Sequence, residues 1–64
     1  MIKFTERERK EIIIDIINEY NKNIKYHQTR SKGFREMNNP DNARYHQEKV
    51  YRYKDFKNVL IDIL

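Results

Sequence analysis

Ile12-Ile13-Ile14-Asp15-Ile16-Ile17 and Val59-Leu60-Ile61-Asp62-Ile63-Leu64 are two apolar blocks near opposite ends of a 64-residue chain. Between them lies a polar middle holding the only glycine and the only proline, Gly33 and Pro40. Folding the chain about that middle lays the blocks side by side, so the expected fold is all-α: one antiparallel helical hairpin forming a single domain over residues 1–64.

The elements follow from local signals. Thr5 and Glu8 have the spacing of a capping box, in which side chain and backbone satisfy each other's orphan donors, and they place the start of the first helix at about residue 5. Ile13, Ile17, Tyr20, Ile24 and His27 then recur every three or four residues, the period of one helical face. That register passes through the Asn-rich stretch Asn18–Asn23 without a phase shift, which favours one long helix. A break near Asn21 would instead give a three-helix bundle. Gly33 is expected as the left-handed residue that ends the helix at about residue 32. The second helix, about 40–64, opens with Asn39 as N-cap, Pro40 at a position where a missing N–H costs nothing, and Asp41 near the positive end of the dipole.

The inward face of the second helix reads Ala43, His46, Val50, Tyr53, Lys57, Leu60 and Leu64. Set antiparallel, the two faces pair Ile13 with Leu60, Ile17 with Lys57, Tyr20 with Tyr53, Ile24 with Val50 and His27 with His46. The lysine stem is expected to pack while its ammonium reaches water.

This pairing leaves apolar residues over. Ile12, Ile16, Phe56, Val59 and Ile63 form a second seam, which Ile14 and Ile61 are expected to extend. A helix that is apolar nearly all round is a buried helix. Full burial of each such side chain stabilises by about 1.5–3 kcal/mol, enough together to drive association. The expectation is a homodimer, a four-helix bundle joined through these five residues. The competing expectation is that residues 1–4, with Ile2 and Phe4, fold back over the seam. A chain this short buries only about 60% of its unfolded surface and needs further support. With no cysteine, association supplies that support more readily than disulfides or thiolate metal sites.

Charge is distributed unevenly. The net charge is +4, but residues 22–57 hold ten Lys or Arg against Glu36, Asp41, Glu48 and Asp55, a balance of +6, while the terminal segments carry −2. The turn half is therefore basic, with tyrosines interspersed, and the end carrying both termini is apolar and slightly acidic. Arg30, Arg35, Arg44, Tyr45 and Arg52 are the expected recognition residues. They suit an acidic protein surface, since Arg and Tyr are enriched at interface hot spots. The alternative is DNA or RNA, whose phosphates the same cations would neutralise. No helix-turn-helix, RRM or KH signature accompanies them.

Catalysis is not expected. There is no nucleophile elbow, Gly-rich phosphate loop or H-E-x-x-H. Asp15 and Asp62 mark the wet side of each apolar block. His27 and His46 lie in an internal echo, Lys25-Tyr26-His27-Gln28-Thr29-Arg30 and Arg44-Tyr45-His46-Gln47-Glu48-Lys49, and are read as a polar core layer that sets register; two histidines are too few for a closed zinc site. No cofactor or metal is expected.

No segment reaches the ~18 apolar residues of a membrane span, and charged residues 6–11 interrupt any signal-peptide pattern, so no membrane association and a cytoplasmic location are expected. Abundant Ile, Lys, Asn and Tyr point to an AT-rich genome, such as that of a low-GC bacterium or its phage. The functional expectation is a small non-enzymatic interaction protein, a phage or mobile-element regulator or inhibitor. The remaining alternative is a small subunit of a larger assembly.

Overall fold

The computed structural model describes residues 3–64. Two α-helices, α1 (Glu6–Glu36) and α2 (Pro40–Ile63), pack antiparallel as a hairpin about 50 Å long and 19 by 15 Å across. The radius of gyration is 15.4 Å, whereas a globular chain of this size would have one near 11 Å. Helix α1 is unbroken through Asn18–Asn23, so the three-helix alternative is not adopted.

At the start of α1 the Thr5 hydroxyl accepts from the Glu8 N–H at 3.1 Å, and the Glu8 carboxylate accepts from the Thr5 N–H at 3.0 Å. The bond from the Thr5 N–H, with the Thr5 hydroxyl as a second donor, holds the Glu8 carboxyl below its usual range. Helix α2 opens as expected, with the Asn39 side chain accepting from the Asn42 N–H and Pro40 in the first turn.

The end of α1 corrects the sequence reading. The helix continues through Gly33 to Glu36, and the left-handed residue is Asn38, at φ 56°. The Asn39 N–H donates to Phe34 O at 2.8 Å and the Asn38 N–H to Arg35 O at 3.1 Å, the paired closing bonds of a Schellman motif. Asparagine tolerates this conformation through its short polar side chain. Gly33 is merely a half-buried helical residue, with open space where a Cβ would stand.

The core follows the expected register and extends it one layer towards the turn. Tyr20 meets Tyr53 with ring centroids 5.5 Å apart, and His27 meets His46 at 5.0 Å. Phe34 stacks on His46 at 5.5 Å and His27 on Tyr53 at 5.8 Å, so a ladder of rings runs down the interface. Beyond the histidines the small pair Ser31 and Ala43 lets the helices close, and the Ser31 hydroxyl donates to Ala43 O at 3.0 Å. Lys57 is half-buried, and its ammonium donates to Asn21 Oδ1 of α1 at 3.1 Å.

The most buried residues are Val50, Ser31, Ala43 and Ile24, all in the turn half. Ile13, Ile17 and Leu60 of the apolar blocks are only half-buried, and Leu64, expected in the core, is 46% exposed. The best-packed part of the hairpin is therefore its basic half.

Two substitutions separate the helix-ending roles of Gly33 and Asn38. Gly33→Ala is expected to raise stability by about 0.5–1 kcal/mol, since it removes glycine's entropy cost from a helix interior. Asn38→Ala is expected to lower it by about 1 kcal/mol through left-handed strain. Urea denaturation of each variant gives the sign; the opposite signs would restore Gly33 as the helix stop.

Candidate interaction surfaces

In an antiparallel pair, residues that precede a core position by one on each helix lie on the same face of the hairpin. Ile12, Ile16, Phe56, Val59 and Ile63 immediately precede Ile13, Ile17, Lys57, Leu60 and Leu64. All five predicted association residues thus share one face near the termini. All are exposed, from 37% for Ile16 to 61% for Ile63. Phe56 also closes the ring ladder, 6.3 Å from Tyr20. Ile14 and Ile61 follow core positions instead, which places them on the opposite face, so they do not extend the seam. Phe4 is itself 52% exposed, while Ile2 lies outside the described residues.

Further along the same face, towards the turn, the side chains change character. Tyr26 and Tyr45 flank His46, with ring centroids 6.3 and 5.1 Å from it. Arg30 stands over Tyr26 at 5.7 Å and also donates to its hydroxyl, and Lys49 stands over Tyr45 at 5.4 Å. The internal echo thus folds into two similar Tyr–cation units on either side of the His27–His46 contact. Arg52 precedes the core residue Tyr53 and joins this face.

The five predicted recognition residues do not form one patch. Arg30, Tyr45 and Arg52 share the face just described. Arg35 and Arg44 lie on the opposite face, where they line an open groove of about 520 Å³ with Ser31, Gln47 and Tyr51. The heptad explains the split, since Arg35 and Arg44 follow core positions while the other three precede them. Tyr26 and Tyr51, two of the tyrosines interspersed in the basic half, and Lys49 of the echo join these surfaces beside the five predicted recognition residues.

Ion pairs are likewise segregated. Among the described residues they are Arg7–Glu11, Lys10–Glu6 and Lys22–Glu19, all between Glu6 and Lys22 of α1. No cation from Lys25 to Lys54 has a carboxylate within ion-pair distance among the described residues. Asp15 and Asp62 are exposed, as expected for the wet sides of the blocks.

The histidine layer is a direct hydrogen bond, with Nδ1 to Nδ1 at 2.7 Å. One nitrogen must carry the proton and the other must accept it. Two imidazoles on one zinc ion, at about 2.0–2.1 Å each, stand roughly 3.3 Å apart, so this spacing suits a shared proton better than a shared metal. Burial holds the His27 pKa below its ordinary value, and the nearby His46 and Lys49 charges push it the same way.

Comparison with protein-family models, curated proteins and solved structures finds no match. No helix among the described residues is long and apolar enough to cross a membrane.

The depressed His27 pKa sets the sign of a pH effect. Below about pH 6.5 the unfolded chain binds a proton that folded His27 resists, so stability falls as pH drops through that value. Thermal melts are expected to show a lower midpoint at pH 5.5 than at pH 7.5. His27→Gln, which keeps a polar group beside His46, should flatten the difference; an undiminished slope would place its origin elsewhere.

Proposed function

We propose that this chain is a small, non-enzymatic interaction protein that self-associates through its apolar terminal half and binds an acidic protein surface through its basic, tyrosine-bearing turn half. The observation that carries this reading is the division of one face into two exposed patches of different chemistry. Ile12, Ile16, Phe56, Val59 and Ile63 lie at one end of it, and Tyr26, Arg30, Tyr45 and Arg52, with the half-buried Lys49 among them, at the other. An exposed contiguous apolar patch of this kind marks a contact site. A regulator or inhibitor, of phage or mobile-element type, is the kind of protein such a pair of surfaces serves.

Surface area supports the association half of the proposal. The accessible surface is 5547 Å², against about 4,450 Å² for a compact monomer of this mass. The excess of roughly 1,100 Å² is comparable to what one partner buries in a standard interface, about 800 Å².

An acidic protein suits the turn half better than nucleic acid. Base stacking needs a bare aromatic face, whereas Tyr26 and Tyr45 each carry a cation over the ring and a histidine beside it. Nucleic acid remains the second reading, carried by the unneutralised charge of this half.

Ile16→Glu introduces a charge at the centre of the apolar patch. Light scattering is expected to show the parent as a dimer and this variant as a monomer with its helicity retained; an unchanged mass would remove the patch from the association.

The turn half is tested at low salt against an acidic peptide and against DNA and RNA oligonucleotides. Combined Arg30→Ala, Tyr45→Ala and Arg52→Ala is expected to weaken peptide binding at least tenfold, while Lys25→Ala with Lys54→Ala on the opposite face has little effect. Tight oligonucleotide binding that falls steeply with salt would transfer the assignment to nucleic acid.

A further inference from the structure

Resting on the self-association proposed above, we infer that the apolar face is covered by a second copy of this chain in one arrangement. The two hairpins run antiparallel, overlap only through their terminal halves, and hold their basic turns at opposite poles.

The layers along the face impose this. Starting at the termini they are Arg9 with Ile63, Ile12 with Val59, Ile16 with Phe56, Glu19 with Arg52, and then the Tyr–cation layers. A two-fold axis crossing the face between the second and third layers sets α1 over α1 and α2 over α2. Ile12 then meets Ile16 of the second copy, and Val59 meets its Phe56. The next contact outward sets Arg9 against Glu19 of the second copy and Ile63 against the aliphatic stem of its Arg52, each twice by symmetry. Among the described residues Arg9 has no ion-pair partner and Glu19 pairs with Lys22 alone, itself 76% exposed.

Other stackings fit poorly. Full antiparallel overlap would press the isoleucines onto Tyr26, Tyr45 and their cations. A parallel stack, turns together, would keep the apolar layers in contact, but it would bring two turn halves of +6 each within a Debye length, about 8 Å, of one another. Partial antiparallel overlap buries the apolar layers and separates the positive ends. It also leaves Tyr26, Arg30, Tyr45 and Lys49 of each copy uncovered, with Arg52 at the inner edge of the overlap, so the dimer is bivalent, offering two recognition heads at its poles.

Two hairpins of 50 Å overlapping over about 25 Å form a rod near 75 Å long. The cysteine-free chain makes the arrangement measurable. Glu36→Cys, at the exposed end of α1, takes one spin label per copy. Partial antiparallel overlap places the labels about 65 Å apart; the parallel stack places them within about 25 Å. A dimeric mass with only the long distance is the expected result. A dimeric mass with the short distance would overturn this arrangement and leave self-association standing, and a monomeric mass would overturn both.

Charge exchange gives an independent readout. Arg9→Glu and Glu19→Arg are each expected to raise the dimer dissociation constant about threefold to tenfold. Together they should return it to near the parent value, because the pair is restored across the interface. Additive losses in the double variant would contradict the Arg9–Glu19 contact.

Discussion

A pair of helices has a single interface, and here that interface is one side chain thick and filled largely by rings. The direct His27–His46 hydrogen bond sits within it, between the stacked Phe34 and Tyr53. A one-residue slip of either helix would separate two imidazole nitrogens that have no other polar partner at the same layer. It would also strip the Ser31 hydroxyl from the Ala43 carbonyl. The polar core contacts thus specify which residues oppose each other, and the faces on either side of the core inherit their composition from that register. Polar core groups that fix register at some cost in stability have precedent in coiled coils.

Full burial is confined to the half of the hairpin that carries the positive charge. Val50, Ile24 and Ala43 supply its apolar part, close to a turn that the Schellman motif at Asn38 holds shut. The terminal half has the larger apolar content and the poorer burial, because Lys57 occupies one of its core positions and Phe56, Val59 and Ile63 fall beside the core instead of within it. Stability and unsatisfied apolar surface thus lie at opposite ends of the molecule. In the proposed reading the turn half holds the hairpin together while the terminal half waits for a partner.

Much of the fold was legible because two independent signals agreed: the three-and-four spacing of Ile13 to His27 and the capping residues Thr5, Asn39 and Pro40. The same spacing continues through Ser31 and Phe34, so the turn-side core was also present in the sequence, hidden by the assumption that Gly33 must end the helix. Glycine marks a stop only where the backbone requires a positive φ, and the residue that meets this requirement is Asn38, two positions before Pro40. The five seam residues could be read as exposed and on one face because they are apolar side chains with no place in the core. The recognition residues could not be read as one patch. Arginine identity says nothing about which side of a heptad it occupies, and a single step of register separates Arg44 from Tyr45.

A hairpin whose buried apolar residues are Ile24, Ala43 and Val50 depends on further burial for cooperative folding. If a second copy supplies it, folding and association are linked and the unfolding midpoint varies with protein concentration. Thermal unfolding followed by circular dichroism from low micromolar to millimolar chain is the most direct test. The midpoint is predicted to climb steadily across that range, and a midpoint independent of concentration, with a monomeric mass throughout, would contradict the account.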